Sequence, residues 1–319
     1  MPIIAGIDEA GYGPPLGPLV VSATVFRVSD EHRDASLWKL LSSTVTMKTK
    51  VKRKLIVADS KHTYSRARGV GVLEETALCF LAQTTGSFDR ADGLLQALAG
   101  KEADDARNYP WYGDQDVKIP LSGRALGLEA KAERLRKTLD ASGVTFMGVR
   151  CLPLFEAAFN RAVEETDNKS IVLFSQAARL IHGMMNRFAD DELLITVDKH
   201  GGRNRYGPLL GKRFRGATLV VRRQDRQVAH YRVRHRGRET DVRFMMHGEQ
   251  HSLPVALASM FSKYVRELYM KLFNGYWQKH LPTLKATAGY AADAKRFLDD
   301  IAPAREKLGI PDDVLIRTR

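Results

Sequence analysis

Cysteine is nearly absent: Cys79 and Cys151 are the two in 319 residues, far apart and in no metal-type spacing. That excludes a disulfide scaffold and a cysteine-held structural zinc site, and leaves both as small buried hydrophobes. No apolar run reaches the roughly 20 residues of a membrane helix, and the N-terminus carries no basic-then-apolar leader. The expectation is a soluble, cytoplasmic protein with no membrane partner. Acids are scarce relative to bases, 37 against 50, for a formal charge of +13 and a pI near 9.7. Such a balance favours a polyanionic partner. The excess is also local, since from Lys199 to Arg243 fourteen Lys plus Arg face three acids, Asp225, Glu239 and Asp241. Solubility charge would be spread more evenly, so this stretch points to a nucleic-acid-facing surface.

The length permits one large core, and a single domain with insertions is expected. Its organising stretch is Ile3 to Pro18. Ile3 to Ile7 is an apolar run that suits a strand buried on both faces. It runs into Asp8 and Glu9, and then into a turn rich in glycine and proline. Alternation sends Asp8 and Glu9 to opposite faces unless the strand ends there, and Gly11 and Gly13 make a change of direction cheap. Two readings stand for the pair: a solvated strand end, or carboxylates that need a divalent cation as counter-charge.

Leu19 to Phe26 reads as a second strand, antiparallel to the first. Leu37 to Thr46 is expected as a short helix, and Lys48 to Lys54 as a basic loop. In the segment that follows, Ser60 and Lys61 suit a phosphate contact, or Asp59 and Ser60 an ordinary helix cap. Residues 66–142 are mostly helical in pattern, with candidates at Leu73 to Gln83, Ala91 to Ala99 and Ala125 to Leu139. The aromatic stretch Asn108 to Asp114 reads as a loop anchored to the core. Val144 to Leu152 reads as a strand, and Leu154 to Glu165 and Lys169 to Phe188 as helices. Leu193 to Asp198 is a second apolar strand ending on an acid before glycines, so neighbouring strands would bring Asp198 close to Asp8. Three further strands follow at Thr218 to Arg223, Gln227 to His235 and Asp241 to Met246. In the middle one Arg232 and Arg234 share a face that Arg236 extends. Ser252 then caps a core helix with Pro254 in its first turn, and the start of that helix holds Glu249 near the other acids.

Taken in order, these motifs resemble those of the type 2 ribonucleases H, the ribonuclease HII/HIII family. Asp8 to Pro14 with Gly17 to Val21 resembles the family's opening motif, and Asp59-Ser60-Lys61 its Asp-Ser-Lys-Lys motif. Val197-Asp198 resembles the strand with the third acid. His247-Gly248-Glu249 with Ala256 to Lys263 resembles the fourth acid and its small-residue helix. Gly289-Tyr290 resembles the C-terminal segment whose tyrosine stacks on the sugar next to the cut. Two positions depart. The family's Gly-Arg-Gly is Gly11-Tyr12-Gly13 here, and the fourth acid is Glu249, as in the HIII branch, where the HII branch usually has Asp.

The resemblance implies an α/β, ribonuclease H-like fold with a central mixed sheet flanked by helices, all in one domain, 1–319. Added to it are a helical insertion, 66–142, and a basic β-ribbon, 203–243, with a C-terminal substrate-contacting segment, 275–319. It also implies metal-dependent endonucleolytic hydrolysis of the RNA strand of RNA–DNA hybrids, leaving 3′-hydroxyl and 5′-phosphate ends. Asp8, Glu9, Asp198 and Glu249 would hold Mg2+ or Mn2+. Substrate would meet Gly11, Tyr12, Gly13, Ser60, Lys61 and Tyr290, with Arg232, Arg234 and Arg236 as a basic contact face. The alternatives are a related nuclease acting on structured DNA or RNA, and a nucleic-acid-binding protein without catalysis.

Overall fold

The structure is a computed structural model that describes every residue except 52, 65–68, 114, 124–125 and 319, and the backbone alone of residues 61 and 62. Strands β1 (Ile3–Ala10) and β2 (Leu19–Val28) pair antiparallel, as the turn between them predicts. After a two-residue pair, β3 (Val45–Thr46) and β4 (Leu55–Ile56), come helices α1 (Gly71–Leu81), α2 (Ala91–Ala99) and α3 (Leu128–Ala141). The chain continues through β5 (Val144–Leu154), α4 (Glu156–Thr166), α5 (Lys169–Arg187) and β6 (Leu193–Asp198). Then follow β7 (Thr218–Gln224), β8 (Val228–His235), β9 (Arg238–Met245), α6 (Leu253–His280) and α7 (Ala291–Leu308).

Seven strands form one sheet in the order β5-β2-β1-β6-β9-β8-β7. The β1–β6 and β6–β9 pairs are parallel and the rest antiparallel. The architecture is therefore α/β, a mixed central sheet flanked by helices. The basic strands of 203–243 extend this sheet rather than forming a detached ribbon. The helices of 71–141 join α6 in the core on one face, where Phe26, Phe80 and Phe146 pack with centroids 5.1–6.1 Å apart. Helix α5 covers the other face against Ile3, Ala5, Ile7, Ile195 and Val197.

Local chemistry explains two differences from the sequence reading. The helix at Leu37 ends at Leu40, and Val45–Thr46 is extended. The β-branched run Thr44-Val45-Thr46 disfavours helix and suits a strand. The aromatic stretch forms short helical turns, and Tyr109, Trp111 and Tyr112 are buried as expected of an anchor, Trp111 stacking on Trp277 at 6.5 Å. Asp114 and Ala125, the ends of two expected segments, fall outside the described residues. Among the described residues no helix is long and apolar enough to cross a membrane.

Candidate active site

The parallel register of β1 and β6 builds the site. Ile7 lies opposite Val197 in the last pair of the ladder, so the next residues, Asp8 and Asp198, stand at the same level and on the same face. Strands in a sheet are about 4.8 Å apart, so two carboxylates there repel strongly unless neutralised. Helix α6 brings the third acid. Its first turn lies directly on β1 at Gly6, where a Cβ would stand 2.1 Å from Val255 N, and Thr24 donates to Pro254 O at 2.7 Å. In the turn preceding α6, Gly248 N donates to Asp198 Oδ1 at 2.7 Å, and Glu249 is buried beside it. Glu9 sits on the opposite face of β1 from Asp8, as alternation requires. Both line one cleft of about 460 Å³ because the strand ends one residue beyond Glu9, at Ala10, and the chain turns at Gly11, whose φ is +83°.

The electrostatics are those of crowded, desolvated acids. Burial, then Glu9 and Glu249, raise the pKa of Asp8 well above the carboxylate range. Asp198 is pushed up to about 8 by burial, Asp8 and Glu249. Glu249 Oε2 is buried with no hydrogen-bond partner. An all-oxygen donor set with an orphaned buried oxygen fits a hard divalent cation. Among the described residues, however, no three His, Cys, Asp or Glu side chains already stand at metal-holding geometry, so these acids would have to draw together around an ion.

Buried cations hold the loop beneath the cleft. The fully buried Arg266 guanidinium donates to Pro18 O at 2.8 Å, Leu16 O at 2.9 Å and Ala288 O at 3.2 Å. Arg317 donates to the carbonyls of Gly11 and Pro14 and lies 4.6 Å from the Phe159 ring centre. Burial and the neighbouring Arg266 lower the pKa of Arg317 to about 9. Glu156, fully buried and nearby, accepts from Gly17 N at 3.1 Å and Tyr112 OH at 2.8 Å. Gly289 is required where this loop meets the C-terminal segment, since its Cβ would stand 2.4 Å from Leu16 O. That contact seats the half-exposed Tyr290 at the cleft.

Of the residues singled out from sequence, the cleft gathers Asp8, Glu9, Asp198, Glu249, Gly11, Tyr12, Gly13, Ser60 and Tyr290. The Lys61 side chain lies outside the described residues. Arg232, Arg234 and Arg236 are not brought there. Their stretch of β8 pairs with the start of β9, at the sheet end away from Asp198. Arg232 is bound to Asp241 at 2.8 Å, and Arg234 pairs with Glu239. Changing all three to Ala is expected to leave the salt slope of duplex binding within about half a unit of wild type, since each phosphate contact is worth about one. Fluorescence anisotropy between low and physiological salt checks this, and a slope reduced by two or more would put the arginines on the duplex.

Tyr64, which the sequence reading missed, and Asp59, Ser259 and Lys263, which it placed in motifs without a site role, also line the cleft. Ser259 hydrogen-bonds Ser60 Oγ at 3.0 Å and lowers the pKa of Asp8 against the dominant effect of burial. Lys263 pairs with Glu267 at 2.6 Å and lies 4.4 Å and 5.7 Å from the ring centres of Tyr64 and Tyr290. The available signal was the i, i+4, i+8 spacing of Ser259, Lys263 and Glu267, one face of the helix after Glu249.

No family model and no curated protein matches the sequence. Solved structures are similar to it over nearly its whole length. One is the complex of PCNA with ribonuclease HII from Archaeoglobus fulgidus, at 17% identity and TM-score 0.48, covering 99% of this chain and 94% of that one. Another is ribonuclease H2 from Pyrococcus horikoshii OT3, at 13% and 0.44, covering 98% and 92%. A third is Bst-RNase HIII in complex with Mn2+, at 14% and 0.45, where 99% of this chain spans 65% of that protein. These are likenesses at low identity, and what the cleft can do rests on its own residues.

Proposed function

We propose that this chain is a divergent type 2 ribonuclease H, a metal-dependent endonuclease that hydrolyses the RNA strand of RNA–DNA hybrids to 3′-hydroxyl and 5′-phosphate ends. The observation that carries this reading is the convergence of Asp8, Asp198 and Glu249 from separate elements in one cleft, with Glu249 Oε2 lacking a partner. The ordered motif resemblance supports it. Asp8, Glu9, Asp198 and Glu249 would hold Mg2+ or Mn2+. The cation, when bound, acidifies the attacking water and stabilises charge on the phosphorus and the leaving oxygen.

The chain's own groups do the rest. Ser60 and Lys61 hold a phosphate by a hydroxyl and an ammonium. Backbone groups of Gly11, Tyr12 and Gly13 approach the ribose 2′-hydroxyl, Gly13 bordering open space where a side chain would stand, and so distinguish RNA from DNA. Tyr290 stacks on the adjoining sugar, steadied by Lys263. The basic excess of the chain draws the duplex in.

The test is incubation with labelled duplexes carrying a ribonucleotide tract, one ribonucleotide or none, with and without Mg2+ or Mn2+. Metal-dependent cutting of the RNA-containing strands is expected. Cutting of all-DNA duplexes would favour a related nuclease of other specificity, and binding without cutting a non-catalytic protein. Tyr12 sharpens the expectation. It offers one hydroxyl and a ring where arginine would offer a cation for phosphate. Tracts should therefore be cut with higher kcat/KM than a lone ribonucleotide, and Tyr12→Arg should narrow the gap. Wild type cutting the lone ribonucleotide equally well would refute this role for Tyr12.

A further inference from the structure

Tyr12 lines both the acid cleft and a second cavity of about 440 Å³, whose other lining residues are Ser170, His200, Gly201, Gly202 and Arg203. Its defining group is Arg203. Nη2 donates to Ser170 Oγ at 2.6 Å, Nε is buried with no partner, and no carboxylate among the described residues lies within ion-pair distance. Half-burying a guanidinium against one hydroxyl and no counter-charge is unfavourable, and an anion with several acceptor oxygens relieves it.

The loop that carries Arg203 is firmly held. Lys199 N donates to Met245 O at 3.0 Å, and Lys199 Nζ donates to Asn204 Oδ1 at 2.9 Å, Asp225 O at 3.0 Å and Arg226 O at 2.8 Å. His200 N donates to Tyr206 OH at 3.0 Å, and Tyr206 stacks on Phe244 with ring centres 3.6 Å apart. Gly201 and Gly202 have no atom within 4 Å of a Cβ position, so the loop backbone borders open space.

We infer that this cavity is a subsite for a phosphodiester of the bound nucleic-acid strand, distinct from the linkage that is cut, with Arg203 as its anchor, held in place by Ser170 Oγ, which accepts from it and itself donates to Asn168 Oδ1 at 2.7 Å. The inference rests on the reading of the adjoining cleft as a nuclease site. The occupant is assigned to a strand rather than a free anion by that cleft's chemistry. Four acids next door disfavour an independent anion, whereas a phosphate tethered to a neighbour already seated there is delivered at high effective concentration. Arginine contacts to phosphate oxygens are a usual means of fixing a strand's register.

The test is a methylphosphonate scan of a hybrid duplex in EDTA, read by fluorescence anisotropy, which needs no cleavage. For wild type, neutralising one linkage beside the cut site should weaken binding about tenfold, the worth of a charged hydrogen bond. Arg203→Ala should lose a similar factor on the unmodified duplex, show no further penalty at that linkage and reduce the salt slope by about one. Arg203→Gln, which keeps length and polarity but not charge, should match it, and the wild-type circular dichroism spectrum should be retained. The same penalty at every linkage in wild type and both variants, or an unchanged salt slope, would overturn the subsite. If wild type fails to cut any hybrid but the scan gives the expected coupling, the catalytic reading falls and the subsite stands.

Discussion

Asp198→Asn is expected to lower hydrolysis of a hybrid by more than roughly 100-fold, the upper range of what partners outside a metal's ligands cost, while hybrid binding stays close to wild type. The same variant should be more stable than wild type without metal. Asp198 has a folded-state pKa of about 8 against an ordinary 3.8, from burial, Asp8 and Glu249. The folded protein therefore holds a proton that the unfolded chain releases, and stability falls as pH rises from about 4 through 8. Asparagine cannot ionise and escapes that loss. In EDTA, the Tm advantage of Asp198→Asn should be near zero at pH 4 and grow to about 2–5 °C at pH 8.5. Unimpaired turnover would remove Asp198 from the site. A variant less stable than wild type at pH 8.5 would show that its carboxylate is neutralised by something other than a cation.

Gly6→Ala carries the largest expected effect on stability. One methyl group would be set 2.1 Å from Val255 N and 2.2 Å from Pro254 C, in backbone on both sides. Overpacking by a methylene usually costs about 1–3 kcal/mol where side chains can give way. Here the first turn of α6 would have to lift off β1, so the loss should exceed that range. Because Glu249 precedes this turn, cation affinity should fall along with Tm. Thermal unfolding with and without Mn2+ reads both, and a Tm within about 2 °C of wild type would mean that the helix does not seat on Gly6.

These two residues mark what a single sequence reveals and what it does not. Asp198 was legible because β1 and β6 share a local pattern, an apolar run ending on an acid before glycines, and parallel pairing turns that pattern into proximity. Glu249 was legible through Ser252, Pro254 and the periodicity of the helix behind it. Gly6 gave no signal, because its requirement comes from a helix that begins 247 residues later. The same holds for Arg266 and Arg317, charged residues whose burial under the Gly11–Pro18 loop depends on carbonyls distant in sequence. For the arginines of β8, alternation correctly places 232 and 234 on one face. The register against Asp241 and Glu239, which sets them at the wrong end of the sheet and takes up their charge, is a tertiary fact. Arg203 is the converse, one cation in a basic stretch whose distinction is the counter-charge it lacks.

The central claim is that Asp8, Glu9, Asp198 and Glu249 form one cation site, and calorimetric titration of metal-free protein with Mn2+ near pH 7 tests it most directly. Because burial holds Asp8 and Asp198 toward their protonated forms, Mn2+ should bind with release of protons, seen as a dependence of the heat on the buffer's ionisation enthalpy. Asp8→Asn and Asp198→Asn should each weaken binding by more than about tenfold. Mn2+ binding of equal affinity to wild type and both variants, or no binding by wild type, would contradict the account.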